Sequence, residues 1–192
     1  MFIGHAGLVA ALRSLSDKPS GTLALIALIL AGYAPDIMDT AFYFAGFCSP
    51  YGLYSHTIPS VIIQASVIGG AAWLVSGSRG ITILFIVTVV SHVPADFLTG
   101  HKLVWPGAGM MGKGWYDRPI LDALLEFPLV VVGWWVLRRS AKGPAWSRTV
   151  LVLVTALVPQ LAFDAYHYAF QVTLKPSTCF DESFTFKLRS SN

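Results

Sequence analysis

The chain has 192 residues, 55% hydrophobic and 12% charged, with a formal net charge of +3. Charged residues reach about half their usual share in soluble proteins, which is about 25%, so an ordinary soluble domain is excluded. The few basic residues gather in short loops, an orientation signal in a membrane protein rather than a nucleic-acid-binding face.

In chain order, residues 2–15 read as a short apolar helix and 16–21 as a turn by composition. No basic residue precedes the apolar start, so it does not read as a signal peptide. Residues 22–46 are apolar but interrupted at Ala34-Pro35-Asp36. A loop over 47–57 leads to a helix over 58–75, a turn near Arg79 and a span over 81–99. Residues 100–118 are rich in Gly and Trp. Further spans at 119–137 and 149–174 flank a basic loop with Arg138, Arg139, Lys142 and Arg148. The tail 175–192 is polar and alternates weakly, as a short strand would. No internal repeat or low-complexity tract appears. The expected fold is therefore all-α: a single integral-membrane domain over 1–192, a bundle of about six apolar helices, the first too short to span alone.

The positive-inside rule puts the turns at Arg13/Lys18, Arg79 and 138–148 in the cytoplasm. Loops 47–57 and 100–118 and the C-terminus then face outward. Lys102, Lys113 and Arg118 argue mildly against this, and the four basic residues at 138–148 outweigh them. At a rise of about 1.5 Å per residue, His5, Asp36, His92, Asp96, Asp122 and Glu126 all fall about 16–25 Å from the cytoplasmic turns. His56 tops the third helix. A buried polar site in the outer half of the bilayer is expected.

Imidazoles and carboxylates at membrane depth are costly and mark sites by default. His92 and Asp96 stand at i and i+4, on one helical face, and Asp122 and Glu126 repeat that spacing. With His5, Asp36 and His56 they supply mixed nitrogen and oxygen donors, which suit zinc or another divalent transition metal. The donors exceed what one tetrahedral ion needs, so one to three ions are expected. The structural alternatives are interhelical hydrogen bonds for a lone histidine, helix caps for Asp36 and Asp122, and an Arg118 partner for Asp122. Asp39, Asp122, Asp164 and His167 are expected behind the ligands, supporting them.

These residues carry a resemblance. Phe2-Ile3-Gly4-His5, Pro35-Asp36, Tyr54-Ser55-His56-Thr57 and Ser91-His92 through Asp96-Phe97-Leu98-Thr99-Gly100-His101, followed by Gly112-Lys113-Gly114-Trp115 and Glu126, resemble the YdjM-like family of membrane-bound metal-dependent hydrolases. The ordered series also resembles the ligand order of zinc-dependent phospholipase C and related zinc nucleases. That resemblance implies Asp36, His56, His92 and Asp96 around one ion, His5 on a neighbouring ion sharing Asp96, and His101 with Glu126 on a third. The chain departs from the pattern where Asp122 replaces a histidine and where Asp96 and His101 lie close in sequence.

The function expected is metal-dependent hydrolysis, of a phosphoester in a lipid or lipid-linked substrate at the outer leaflet. A metal-activated water would attack, with Asp36 or Asp96 as general base. Lys102, Lys113 and Arg118 would hold the substrate phosphate. The expected location is a prokaryotic cytoplasmic membrane, with the site and C-terminus outside and no nucleic-acid partner. The alternatives are a metal-ion or proton transporter and a scaffold with a structural metal. Cys48 and Cys179, both placed outside, form a disulfide in this reading or remain two free thiols.

Overall fold

The computed structural model describes residues 3–15, 21–47, 52–140 and 142–170. The turn at 16–20, Cys48, Cys179 and the alternating tail lie outside the described residues. Most of the described chain is helical, as the apolar periodicity requires.

Helix α1 (Gly4–Ser14) has 11 residues, about 16 Å of rise, far less than a bilayer core of about 30 Å. Helices α2 (Thr22–Gly32) and α3 (Ala34–Phe44) meet at Tyr33 in a bend of 64°. Pro35 is the local cause: it lacks an N–H, and its ring would clash with the preceding turn of a continuous helix. Helix α4 (Ile58–Ser76) carries Pro59 in its first turn, where a missing N–H costs nothing. Helices α5 (Arg79–Val90) and α6 (His92–Thr99) follow, then α7 (Pro119–Ser140) and α8 (Val150–Phe170).

Three stretches are long and apolar enough to cross a membrane: α4, α5 with α6, and α7. The bent α2–α3 pair makes a fourth if it counts as one span. The apolar stretch Val150–Ala162 of α8 is shorter. Large side chains such as Leu23, Leu74 and Val75 point outward with 83–90% of their surface exposed. That pattern is adverse in water and natural against lipid tails. The inner core joins Ala31, Val61, Ala65 and Val89, packed by Ile68, Phe85, Ile86 and Val93.

Helix α1 lies against α7 at backbone contact distance. A Cβ on Gly7 would meet the Leu129 carbonyl oxygen at 2.5 Å, and a Cβ on Gly133 would overlap the Gly7 carbonyl oxygen. Small residues permit such close crossings inside membranes, where packing rather than water exclusion drives association.

The 100–118 loop contains a small hairpin. Strand β1 (Lys102–Leu103) pairs antiparallel with β2 (Met110–Met111), Lys102 opposite Met111. Ile58 N–H donates to the Val104 carbonyl at 2.9 Å, and Lys113 N–H to the Phe97 carbonyl at 2.8 Å. These bonds hold the hairpin over the adjoining ends of α4 and α6.

Candidate metal centre

Three chain segments deliver one donor group. The bend at Tyr33 starts α3, so Asp36 falls in its first turn. The tight turn before α4 brings His56, and α6 brings His92 and Asp96 on one face. Gly52 makes that turn workable: its φ is +75°, and a Cβ there would sit 2.7 Å from His56 Nδ1. One ligand atom from each of Asp36, His56, His92 and Asp96 lies within 4.8 Å of the other three.

Four edges of this group are short. Asp36 Oδ1 is 3.1 Å from His56 Nε2 and 3.7 Å from His92 Nε2. Asp96 Oδ2 is 3.4 Å from His56 Nε2 and 3.2 Å from His92 Nε2. A tetrahedral zinc ion with ligands at about 2.0–2.2 Å requires edges of about 3.3–3.6 Å. These edges scatter about that range, and the donor set could hold a single small divalent cation.

The hydrogen-bond network fixes both imidazoles for that role. His92 Nδ1 lies 2.9 Å from the Gly32 carbonyl, which can only accept, so Nδ1 carries the hydrogen. In the neutral ring Nε2 then presents its lone pair, and it is buried with no hydrogen-bond partner. His56 Nδ1 lies 2.7 Å from Ser55 Oγ, whose hydroxyl donates to Asp39 Oδ1 at 2.9 Å. Ser55 Oγ can then accept from His56 Nδ1–H, while His56 Nε2 lies within hydrogen-bond distance of Asp36 Oδ1 at 3.1 Å. A cation among these nitrogens and carboxylates would pair with both carboxylates at once. Asp39 and Ser55 thus orient a ligand without joining the group. Ser55→Ala or Asp39→Asn is expected to lower metal affinity about 10–100-fold, the usual cost of losing an orienting partner, as read by competition with a chromophoric chelator.

His5 stands beside the four. Its Nε2 is 3.4 Å from Asp96 Oδ1, buried and without a hydrogen-bond partner. Its ring stacks on His92 with centroids 4.0 Å apart and meets the edge of Tyr33. Asp96 accordingly turns one oxygen to His56 and His92 and the other to His5. His101 is not in the group: its side chain is 49% exposed and its Nε2 lies 3.5 Å from Asp117. Glu126 is fully buried, and its Oε2 accepts from Ile3 N–H at 2.7 Å and Gly4 N–H at 2.9 Å. It thereby satisfies donors that the start of α1 leaves open.

Asp122 and Asp164 are buried and joined through Gln160, which the sequence reading did not single out. Gln160 Nε2 is 2.8 Å from Asp164 Oδ1 and 3.4 Å from Asp122 Oδ2. The His167 side chain lies outside the described residues. Lys113 and Arg118 are exposed, whereas Lys102 lines a small cavity with His56, His92, Val93, Asp96, Phe97, Val104 and Met111. Its free volume of about 10 Å³ is the room of one water or ion. Sequence reading also missed Ser55 and the Gly32 carbonyl. A hydroxyl next to a histidine, with an aspartate a turn beyond Asp36, was the available signal for Ser55.

Comparison with protein-family models, with curated proteins and with solved structures gave no match. What defines the molecule is therefore its own architecture: a mostly helical chain with helices able to cross a membrane and a buried His/Asp group able to hold a metal ion.

Proposed function

We propose that the chain is a metal-dependent membrane hydrolase, acting on a phosphoester of a lipid or lipid-linked substrate. The observation that carries this reading is the group Asp36, His56, His92 and Asp96, its two histidines oriented to present Nε2. The resemblance to the YdjM-like hydrolases and to zinc phospholipases supports it, because the same four residues are the ones that resemblance assigns to one ion. In this reading the chain is a bundle of about six membrane helices. It resides in a prokaryotic cytoplasmic membrane with the site and the C-terminus outward. The ion is zinc, and His5 and Asp96 serve a neighbouring ion.

When bound, a divalent cation at the four residues supplies Lewis acidity toward a phosphoryl oxygen and acidifies a water molecule. The chain's own groups do the rest. Asp36 is the open member: its side chain is 39% exposed, against 7% or less for the other three. It is the carboxylate placed to take a proton from an attacking water. Lys102 lines the same cavity and offers an ammonium to the substrate phosphate. The hairpin residues Val104 and Met111 restrict water there.

A second reading, transport of a metal ion or proton, is favoured by one observation. Asp122, Gln160 and Asp164 form a further buried polar chain between α7 and α8. Detergent-solubilised protein offered phospholipids and lipid phosphates is expected to turn over at least one, with activity lost on chelation and regained with zinc. Metal flux in proteoliposomes, with no chelator-sensitive turnover, reverses the ranking.

A further inference from the structure

We propose that a groove between α3 and α4 holds one acyl chain of a glycerophospholipid whose phosphoester reaches the metal group. This rests on the hydrolase reading above and adds the part of the substrate that determines recognition. The groove has a volume of about 480 Å³ and is lined by Met38, Phe42 and Phe47 on one side and Tyr54, Ser60, Ile63 and Gln64 on the other. That volume lies in the range of small-molecule sites, about 300–1,000 Å³. It is too small for a partner helix, which is about 10–12 Å across.

Its walls combine apolar side chains with the polar Ser60 and Gln64, the mixture an amphipathic ligand needs. Met38 and Phe42 are one helical turn apart on α3, beside the Asp36/Asp39 face. Phe47, Tyr54 and Ile63 are exposed at the rim, and Ile63 shares α4 with the outward-pointing Val67 and Leu74. A lipid tail can therefore enter from the surface that faces the bilayer. The polar end is tied to the metal group by hydrogen bonds. Gln64 Nε2 donates to the Ser55 carbonyl at 2.7 Å, and Ser55 holds His56 Nδ1. Gln64 Oε1 is buried and has no hydrogen-bond partner, so it can accept from a headgroup hydroxyl such as those of phosphatidylglycerol.

The test separates the groove from the chemistry. Protein in phosphatidylglycerol nanodiscs would be crosslinked with a phosphatidylglycerol carrying a diazirine in one acyl chain. Labelled peptides would be mapped for wild type and for the groove-filling variants Met38→Trp and Ile63→Trp. Labelling concentrated on the groove residues, and lost in both variants, is expected. Labelling spread evenly over Val67, Leu74 and Val75 overturns the proposal. In parallel, the variants should raise KM for dipalmitoyl substrate at least about tenfold, or 1.4 kcal/mol, with a much smaller loss in kcat/KM for a dihexanoyl substrate. Equal losses on both chain lengths also overturn it. Groove-specific labelling without turnover on either substrate keeps the lipid site and defeats the hydrolase reading alone.

Discussion

Asp96→Ala is expected to strip the protein of its metal. Among the described residues, Asp96 is the one carboxylate that contacts His5, His56 and His92: His56 and His92 through Oδ2 and His5 through Oδ1. Removing an orienting partner costs about 10–100-fold in affinity, so removing this ligand should cost more than about 100-fold. The three imidazoles would also lose the anion that favours a cation between them. Elemental analysis of purified protein, with chelator competition for affinity, measures the change. Asp117→Ala removes only the exposed partner of His101 and should leave occupancy of the four-residue site at the wild-type level. Wild-type occupancy in Asp96→Ala would refute the centre.

Gly133→Leu is expected to unseat α1. The obstacle to a side chain there is the backbone carbonyl of Gly7, which cannot rotate away as a side chain could. Overpacking commonly costs about 1–3 kcal/mol, and a rigid obstacle puts this case at about 3 kcal/mol or more. Displacing α1 would also carry His5 away from Asp96 and release Ile3 and Gly4 from Glu126. Unfolding in detergent should therefore shift strongly, together with weaker metal retention. Gly70 on α4 supplies the contrast, since a Cβ there meets nothing within 4 Å. Gly70→Ala should be neutral or stabilising by up to about 1 kcal/mol.

The helices were legible because lipid-facing segments must be apolar throughout, and their limits fall at Pro, Gly and charged turns. The interruption read at Ala34-Pro35-Asp36 is the observed bend, since a missing N–H acts locally and needs no tertiary context. The pairing of His92 with Asp96 was legible from helical period alone. Their approach to Asp36 and His56 was not, because periodicity says nothing about which faces meet; there the resemblance carried the expectation. His101 shows the limit from the other side. It follows Asp96 closely in sequence, yet Gly100 ends α6 and the hairpin turns the ring toward Asp117. Ser55, the Gly32 carbonyl and Gln160 act through single hydrogen bonds to distant segments, for which sequence carries no periodic trace.

The bend at Tyr33 lies between two groups that the centre depends on. Asp36 is aimed by the helix beyond the bend, and His92 is held in its tautomer by the carbonyl of Gly32 just before it. Straightening α2 and α3 into one rod would therefore withdraw one ligand and unlatch another in the same movement. An ion seated among the four residues would act as a clasp on the helix angle, and bilayer thickness or tension acting on that angle would be felt as a change in metal affinity.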